Sequence, residues 1–459
     1  MADILLTHGY FLSEDEKERQ IMKPYPPLGL LYLSAYLKGA GFSVEVYDST
    51  FGERGELVEK LQASRKGTLG IYTNLITRRS VLELIRVAKQ SDWVVILGGP
   101  ESANYPDEYL RAGADIVVIG EGEATLAELL STGSGADPQR LHGLPGIVFK
   151  DERGGIVRTP ARLAIPDLDA LPFPDRDAID HTLYLDAWRR HHGAGSINLI
   201  TARGCPYRCT WCSHAVYGYS HRRRSPANVA EEVAWIVDRY RPEQLWYADD
   251  VFTLSHPWLA RYLSELRQRG LPILPFETIT RADRLQSESA VESLRALGCY
   301  RIWIGSESGS QRILDAMQRG VTVEQVRRAV RLAQSHGIQV GMFLMWGYEG
   351  EELDDIAATV EHVKETNPEI FFTTVSYPIK GTPYFDAVSG KVDLPTAWSE
   401  ATDRDYLIRG RRGKDYYRLA DTWLRAEVEA SRLSARDAVR AAELQAVARK
   451  AREQMRDAS

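Results

Sequence analysis

The sequence predicts an α/β protein: a doubly wound, five-stranded parallel sheet, then a partial (β/α)6 barrel, then a helical C-terminal region. Short continuous apolar runs alternate with amphipathic stretches, which is the pattern of parallel strands covered by helices on both faces. The alternation occurs twice, and a stretch rich in Pro, Gly and Asp separates the two series. We therefore expect the first sheet domain at 1–140, a hairpin and linker at 141–194, the barrel at 195–388 and the helical region at 389–459.

The first sheet is predicted from five apolar runs, and its ligand site from the residues that follow them. The runs are Ile4–Leu6, Val44–Tyr47, Leu69–Tyr72, Val94–Leu97 and Ile116–Ile119. Ligands of doubly wound sheets bind beyond the carboxyl ends of the strands, and glycines there let a backbone approach a large ligand closely. The alternative is that these glycines only form tight turns. The candidate ligand-binding residues at the strand ends are His8, Thr73, Asn74, Gly98, Gly99, Pro100, Glu101, Gly120, Glu121 and Gly122.

The barrel is predicted from six further strand–helix units. Their strands are Ile197–Thr201, Leu245–Ala248, Ile273–Thr278, Tyr300–Ile304, Gln339–Leu344 and Glu369–Val375. The first helix is the best marked, because Ser225 is a candidate N-cap and Pro226 suits the first helical position. The chemistry of such a barrel is expected at the carboxyl ends of its strands.

The overall composition excludes several classes of function. The 459 residues are 44% hydrophobic and 26% charged, as in ordinary globular proteins. A net charge of −6 gives no basic field for nucleic acid. No apolar run reaches the ~20 residues that span a bilayer. The N-terminal stretch MADILLTHGY has no signal-peptide pattern and cysteines are few, so we expect a cytoplasmic protein.

Three of the four cysteines lie in one short loop, RGCPYRCTWCSH, with the spacing C-x3-C-x2-C. Thiolates hold iron–sulfur clusters, normally four to a cubane, so Cys205, Cys209 and Cys212 could leave one iron without a protein ligand. The alternative is a zinc site completed by His214 or Cys299. The loop follows the first predicted barrel strand, where active-site loops belong. The spacing favours the cluster over zinc.

The cysteine loop is followed by one short motif at each of four later strand ends. Trp211 stands just before the last cysteine, and the motifs are Tyr247–Asp250, Thr280–Asp283, Gly305–Gly309 and Phe343–Glu351. In this order they resemble the radical S-adenosylmethionine (SAM) enzymes over residues 195–385. Two departures stand out. Asp-Asp replaces the commoner Gly-Gly-Glu after the second strand, and Glu349 replaces a proline in the Gly-x-Pro-Gly-Glu turn.

This resemblance implies a [4Fe–4S] cluster whose open iron binds SAM and cleaves it to a 5'-deoxyadenosyl radical. Asp249 would accept from the SAM amine, Arg281 would pair with its carboxylate, and Glu307 would accept from its ribose hydroxyls. The alternative for all three is an ordinary ion pair. The residues implied at this site are Cys205, Cys209, Cys212, Trp211, Asp249, Arg281 and Glu307.

The N-terminal part resembles the cobalamin-binding domain that precedes many radical SAM barrels. The matching residues are Pro26–Leu33, Leu97–Pro100 and Ile119–Glu123. The Asp-x-His-x-x-Gly motif that supplies a histidine to cobalt is absent, and His8 stands in a different context. The resemblance therefore implies cobalamin bound without histidine ligation, with the strand-end residues around it. The alternative is that the fold persists without cobalamin.

Together the two resemblances imply a cobalamin-dependent radical SAM enzyme. The expected reaction is C-methylation of an unactivated carbon through methylcobalamin. The alternatives are an oxidative cyclisation or rearrangement without methyl transfer, and a non-catalytic cobalamin- or metal-binding protein. Expected partners are a small-molecule or peptide substrate and an external one-electron donor of the flavodoxin or ferredoxin type, with no nucleic acid and no membrane span.

Four other features have less specific interpretations. Ser13–Gly29 is either a solvated loop or a lid. His221–Arg224 combines a solvated face with a cavity wall or a docking site for an electron donor. Arg409–Lys414 is predicted at the surface, with an anionic substrate as the alternative. Cys299 is expected to be a packed thiol.

Overall fold

The computed structural model of the chain describes residues 2–63, 66–133, 138–394 and 396–457. These residues form two compact units, each assembled from separate segments. The first comprises Met1–Pro206, Ser213–Trp246 and Leu394–Asp403, and the second comprises Tyr207–Cys212, Tyr247–Asp393 and Arg404–Ser459. Each unit combines segments that are distant in sequence, so this division does not test the four predicted domain ranges, which stay a prediction.

The first unit is built on a sheet of seven strands. They are β1 (Ile4–His8), β2 (Val44–Tyr47), β3 (Thr68–Tyr72), β4 (Val94–Gly98), β5 (Ile116–Val118), β6 (Ile147–Lys150) and β7 (Ile156–Arg158). Their order is β2-β1-β3-β4-β5-β6-β7. The five predicted strands are confirmed and pair in parallel. The predicted hairpin adds β6 and β7 antiparallel to β5, so the sheet is two strands longer than expected.

Apolar cores lie on both faces of this sheet. Neighbouring residues of a strand point to opposite faces, so Leu5 enters one core while Ile4 and Leu6 enter the other. This two-sided burial explains why the parallel strands have continuous apolar sequences. The helices of the first unit are α1 (Glu16–Ile21), α2 (Leu28–Gly39), α3 (Arg54–Ala63), α4 (Arg78–Gln90), α5 (Pro100–Asn104), α6 (Pro106–Arg111), α7 (Glu123–Ser131), α8 (Pro138–Leu141), α9 (His181–His192) and α10 (Pro226–Tyr240).

The first unit also contains the beginning of the predicted second series of strands. The predicted strands here are β8 (Ser196–Leu199) and β11 (Gln244–Tyr247), which lie side by side. Between them in sequence, β9 (Ala202–Arg203) and β10 (Arg222–Arg223) form a separate antiparallel pair that was not predicted. Helix α10 begins as predicted: the hydroxyl of Ser225 accepts from the backbone N–H of Asn228 at 3.1 Å, and Pro226 takes the first helical position.

A late segment, Leu394–Asp403, completes the first unit through a buried ion-pair network. Arg78 is 1% exposed and donates to Glu101 Oε1 at 2.5 Å and to Asp403 Oδ1 at 2.9 Å. Tyr105 donates its hydroxyl to the same Asp403 oxygen at 2.7 Å. A buried guanidinium is tolerated only when it is paired, so the unit depends on a residue far along the chain.

The second unit contains four parallel strands: β12 (Phe276–Thr280), β13 (Cys299–Glu307), β14 (Gln339–Trp346) and β15 (Ile370–Val375). Their order in the sheet is β15-β14-β13-β12, and β12 lies beside the last residue of β11. That residue is Tyr247, whose carbonyl accepts from Thr278 Oγ1 at 3.0 Å. All six strands predicted from Ile197 onward are therefore present, with the alternating helices that the sequence indicated.

Helices cover the second unit and make up its C-terminal end. They are α11 (His256–Gln268), α12 (Glu288–Ala296), α13 (Gln311–Ala316), α14 (Val323–Ser335), α15 (Leu353–Thr366), α16 (Pro383–Val388), α17 (Lys414–Leu433) and α18 (Ala438–Asp457). Two short strands, β16 (Val392–Asp393) and β17 (Leu407–Ile408), pair antiparallel before α17. The predicted helical C-terminal region is confirmed. Across the residues that the structure describes, no helix has both the length and the apolar character needed to cross a bilayer.

Candidate functional site

The first unit has a cavity at the carboxyl edge of its parallel strands. It measures about 790 Å³ out to its open mouth, and its walls include Leu6, Ile71 and Leu97. Five of the predicted ligand-binding residues line it: Gly98, Gly99, Gly120, Glu121 and Gly122. The prediction that a ligand-sized space lies beyond these strand ends is consistent with this cavity.

Two adjacent glycines shape the wall of the cavity in different ways. At Gly98, a Cβ would meet nothing within 4 Å, so the missing side chain leaves space open. Gly99 has φ +101°, and a Cβ there would lie 2.4 Å from the carbonyl oxygen of Thr73. The backbone conformation thus requires glycine at position 99. At position 98, glycine is required only if a ligand approaches the cavity wall closely.

The other five predicted residues lie outside the cavity wall and support it. Thr73 donates its hydroxyl to the carbonyl of Gly98 at 2.9 Å. Asn74 accepts from the backbone N–H of Ile76 at 3.1 Å, so it caps a short 3-10 turn. Pro100 begins α5. Their positions are explained by local structure, without a ligand.

His8 and Glu101 are occupied by polar partners within the protein. His8 is buried, with Nε2 3.1 Å from Asp48 Oδ1 and Nδ1 3.0 Å from Ser49 Oγ. Glu101 is committed to Arg78 in the buried network described above. Neither side chain lines the cavity, and their predicted ligand contacts stay a prediction.

An arginine that the sequence analysis missed fixes the turn at Glu121. Arg203 is 5% exposed, and its two terminal nitrogens donate to Glu121 Oε1 and Glu123 Oε1, both at 2.7 Å. Arg222 donates to the other Glu121 oxygen at 2.7 Å. Burial alone would raise the pKa of Glu121, but the bonds from the two arginines and from the Ile165 N–H outweigh it and hold that pKa below its ordinary value. We call these four charged side chains the Arg203 clamp.

The Arg203 clamp connects the cavity to the cysteine loop along the chain. Arg203 immediately precedes Gly204 and Cys205. Its guanidinium also lies 5.1 Å from the ring centroid of Tyr32 and 5.7 Å from that of Tyr217, both of which line the cavity. An arginine before a glycine is easily interpreted as a surface residue, and the sequence contains no signal that would have identified its partners.

In the second unit, the Tyr207–Cys212 part of the cysteine loop is held by its backbone. The N–H of Thr210 donates to Met317 O at 3.1 Å, and the carbonyl of Thr210 accepts from the Tyr384 N–H at 3.0 Å. The Thr210 hydroxyl lies 2.6 Å from the Tyr348 hydroxyl. Trp211 packs against the apolar cluster that contains Met317 and Tyr348. The aromatic residue of the motif therefore anchors the loop by packing.

The four cysteines differ in exposure. Cys209 is buried, Cys212 is exposed, and Cys205 is intermediate. Cys299 is buried on β13, where burial raises the pKa of its thiol, so the packed-thiol interpretation is supported. Among the described residues, no three His, Cys, Asp or Glu side chains are gathered closely enough to hold a metal ion. The convergence of the three loop thiolates stays a prediction.

Two arginines surround the Cys209 thiol. Arg281 Nη1 lies 3.8 Å and Arg319 Nη1 3.7 Å from Sγ. Burial raises the pKa of Cys209, while the charge of Arg281 opposes that rise. Guanidinium N–H groups are suited to a sulfur that carries negative charge. The chemistry of this sulfur and its two donors therefore fits an anionic iron–sulfur cluster.

Arg281 is held in place by several protein contacts besides the Cys209 sulfur. Its Nε donates to Asp283 Oδ1 at 2.9 Å, its Nη2 donates to Arg319 O at 2.8 Å, and its guanidinium carbon lies 3.5 Å from the ring centroid of Tyr207. These contacts fix the cysteine loop. Together with the Cys209 contact they use three of the five N–H groups of Arg281, so the predicted contact with a SAM carboxylate would use the remaining N–H of Nη1 or Nη2.

Glu307 has the environment of a ligand-binding carboxylate. It is buried at the end of β13 with φ +61°, a backbone conformation that costs free energy for a residue with a side chain. Burial raises its pKa to about 8, although Arg281 acts in the opposite direction. A Cβ on Gly305 would lie 2.4 Å from Glu307 Oε1, so Gly305 makes room for the carboxylate. Asp249, the other predicted carboxylate, is 1% exposed just after β11.

Arg319 is the second functional candidate that the sequence analysis missed. Its Nε lies 3.8 Å from Glu307 Oε1 and has no hydrogen-bond partner among the described residues. A buried donor without a hydrogen-bond partner needs an explanation, and a ligand on Arg319 Nε would supply one. Arg319 follows α13 rather than a strand, so a site prediction based on the residues at strand ends does not include it.

The remaining predicted features are held by protein contacts. In Ser13–Gly29, Asp15 caps α1, and the carbonyl of Pro24 accepts from Trp188 Nε1 at 2.8 Å. In His221–Arg224, Arg222 joins the clamp and Arg224 pairs with Glu232. The Arg409–Lys414 run is mostly exposed, as predicted.

Comparison with known proteins supports two family assignments. Residues 199–363 match the model of the Radical SAM superfamily, and residues 20–130 match that of the B12 binding domain. An uncharacterized methyltransferase of Pyrococcus horikoshii is 26% identical over 409 residues, which cover 86% of each chain. The anaerobic magnesium-protoporphyrin IX monomethyl ester cyclase of Rubrivivax gelatinosus is 25% identical over 407 residues, or 85% of this chain and 73% of the relative.

A solved structure has the same fold. TsrM, a radical S-adenosylmethionine methyltransferase from Kitasatospora setae, matches with a TM-score of 0.69 and 22% identity over 87% of this chain and 78% of that chain. The chain therefore combines a region that matches the Radical SAM superfamily with a region that matches the B12 binding domain, and its cofactors are a [4Fe–4S] cluster, SAM and cobalamin.

Proposed function

We propose that this enzyme is a C-methyltransferase that acts on an unactivated carbon and uses cobalamin as its methyl carrier. The observation that carries the proposal is the presence in one chain of a glycine-lined cavity and of a cysteine loop whose central thiol faces two arginines. The relatives named as methyltransferases support the same reaction. A small-molecule or peptide substrate and an external one-electron donor complete the proposal.

The cavity of the first unit would hold cobalamin. Its apolar walls and bare glycine edge suit a large ligand with an extended, partly apolar surface. Gly98 leaves room for close approach, and the Arg203 clamp keeps the turn at Glu121 in place. His8 is bonded to Asp48 and Ser49, which supports binding without a histidine on cobalt.

The cysteine loop would hold the cluster through Cys205, Cys209 and Cys212. When bound, the cluster and SAM supply a 5'-deoxyadenosyl radical, and cobalamin supplies a transferable methyl group. Arg281 and Arg319 would donate N–H bonds to the Cys209 sulfur and offset negative charge there.

Three side chains of the second unit would orient SAM. Asp249 would accept from the amine and Glu307 from the ribose hydroxyls, as the family resemblance implies. For the carboxylate we favour Arg319 over Arg281, because Arg319 Nε has no hydrogen-bond partner among the described side chains and backbone groups. Arg281 would then act as a positioning residue for the loop.

The proposal is tested by anaerobic reconstitution with iron, sulfide, SAM and cobalamin. We expect 5'-deoxyadenosine to form with a strong reductant, and Cys209→Ala to reduce that yield at least 100-fold because the cluster loses a ligand. Cys299→Ala is the matched control, since this buried cysteine lies outside the loop, and it should retain cleavage. Cleavage of SAM by Cys209→Ala at the wild-type rate would contradict the cluster assignment.

A second candidate function is radical cyclisation without methyl transfer. It is favoured by the relative named as a cyclase, which aligns over 85% of this chain. Methyl transfer from SAM yields S-adenosylhomocysteine, whereas cyclisation yields none. Formation of S-adenosylhomocysteine in proportion to product would support the methyltransferase, and its absence during turnover would favour the cyclase.

A further inference from the structure

The strand end that carries Glu307 is an irregular turn made largely of serine. β13 pairs with β14 in register up to Gly305, and the register then shifts at Ser306 before Glu307 pairs again. A bulge of this kind changes the direction of the side chains that follow it. Glu307 comes directly after the bulge and has φ +61°. We call residues 306–310 the serine turn.

Helix α15 supports the serine turn from one of its faces. A left-handed residue with a side chain persists only where surrounding contacts fix its conformation. Asp355, Thr359 and His362 are spaced four and three residues apart, so they lie on the same side of the helix. All three are buried, and each is in hydrogen-bond contact with a residue of the serine turn.

Thr359 contacts the middle of the serine turn. Its hydroxyl accepts from the backbone N–H of Gly309 at 2.9 Å and lies 3.2 Å from the hydroxyl of Ser308. The same hydroxyl donates to the Asp355 carbonyl, one helical turn earlier, at 2.9 Å. Gly309 packs directly on the helix, because a Cβ there would lie 2.5 Å from the Ala358 carbonyl oxygen. The turn and the helix therefore have no space between them at this point.

His362 and Asp355 hold the two ends of the serine turn. His362 Nε2 lies 3.0 Å from the hydroxyl of Ser306, the residue immediately before Glu307. Ser310 donates its hydroxyl to Asp355 Oδ1 at 2.6 Å. Burial lowers the pKa of His362 to about 4, so the imidazole is neutral near pH 7 and serves as a hydrogen-bonding group. Glu307 thus lies between serines that are bonded to one helix.

We infer that Thr359 and His362 are positioning residues that fix the Glu307 carboxylate for its contact with the SAM ribose. The inference rests on the proposed function, in which Glu307 accepts from the ribose hydroxyls. Because the backbone of Glu307 is in a costly conformation, loosening the serine turn would let it relax and move the carboxylate. Loss of these contacts should therefore weaken only ligands that have ribose hydroxyls.

The inference is tested with two ligands on the reconstituted holoenzyme without reductant. They are S-adenosylhomocysteine and its 2',3'-dideoxy analogue, which lacks both ribose hydroxyls. Isothermal titration calorimetry of Thr359→Val should show about 5-fold weaker binding of S-adenosylhomocysteine, the effect of one lost hydrogen bond, and an unchanged affinity for the analogue. Thr366→Val is the matched control and should leave both affinities unchanged. The Thr366 hydroxyl is also buried on α15, but it donates within its own helix, to the His362 carbonyl at 2.7 Å.

Two further variants separate the inference from the ribose contact itself. Ser306→Ala removes the partner of His362 Nε2 and should act like Thr359→Val. Glu307→Ala removes the carboxylate, and adding Thr359→Val to it should cause no further loss of affinity. Unaltered S-adenosylhomocysteine binding by Thr359→Val, an equal loss for both ligands, or a further loss in the double variant would overturn the inference. If Glu307→Ala alone binds both ligands as the wild type does, the ribose contact of the proposed function fails, and the inference fails with it.

Discussion

At the scale of single residues, buried arginines determine the geometry of both candidate sites. Arg203 holds Glu121 and Glu123 at the cavity, and Arg281 and Arg319 surround Cys209. None of these contacts could be derived from the sequence, because an arginine's partners are distant along the chain and its usual position is the surface. The cysteine spacing, in contrast, is a local signal and could be recognised directly.

Arg203→Leu should destabilise the first unit strongly, because it leaves Glu121 and Glu123 buried with fewer partners. Loss of one member of a buried ion pair costs about 3–5 kcal/mol, which urea unfolding can measure. Arg158→Leu is the control, since that arginine pairs with Asp107 at the surface and is 55% exposed. Exposed pairs contribute about 0–1 kcal/mol. Equal losses in the two variants would show that the clamp has no special role in stability.

Glu307 makes the stability of the protein without ligands depend on pH. Its folded pKa of about 8 lies above the ordinary value of 4.5, so between these values the folded state retains a proton that the unfolded state has released. Stability is therefore lost as pH rises through this window. The Gln side chain of Glu307→Gln cannot ionise. The free energy of unfolding of this variant, relative to that of the wild type, should therefore increase between pH 5 and pH 8 by on the order of 3 kcal/mol.

Urea unfolding at pH 5 and pH 8 checks this prediction. The exposed Glu361→Gln is the control and should show no such pH-dependent gain. A constant difference between Glu307→Gln and the wild type at both pH values would mean that Glu307 does not titrate in this range.

At the scale of elements, strands were predicted better than their pairing. The runs from Ile4 to Ile119 gave all five parallel strands within a few residues, because two-sided burial makes their sequences continuously apolar. The hairpin at 147–158 was also expected, but its antiparallel attachment to β5 was not. Pairing depends on which sheet edge is free, and a four-residue apolar segment does not encode that choice.

The two adjacent glycines at the end of β4 provide a test at this scale. Gly99→Ala should cost more than about 1 kcal/mol of stability, because its φ is positive and Thr73 blocks the Cβ. Gly98→Ala should leave the free energy of unfolding within about 0.5 kcal/mol of the wild type, since the Cβ meets no atom there. It should nevertheless weaken cobalamin binding, measured by absorbance titration. Unchanged cobalamin affinity in Gly98→Ala would argue against the cavity as the cobalamin site.

At the scale of the whole molecule, the two compact units do not follow the order of the sequence. The six strands of the second series were predicted from their alternation with helices, but the return of Leu394–Asp403 to the first unit was not. That segment is tied by Arg78, whose buried position has no sequence signature. Long-range pairing of this kind is a property of the folded chain and cannot be derived from local patterns.

Asp403→Ala tests this assignment of the late segment. The change leaves the buried Arg78 with one carboxylate instead of two, which should cost about 3 kcal/mol. Hydrogen exchange should accelerate at β3, β4 and α4 of the first unit, while α17 and α18 keep their protection. Faster exchange confined to the second unit would contradict the grouping of residues 394–403 with the first.

The Arg78–Asp403 pair also has a consequence for synthesis on the ribosome. The two residues are 325 positions apart, so Arg78 emerges long before the carboxylate that completes its pairing. During that interval the nascent N-terminal sheet holds a guanidinium that lacks one of its two counter-ions. The first unit therefore reaches its final form only after Asp403 has been translated, although most of its residues are made much earlier.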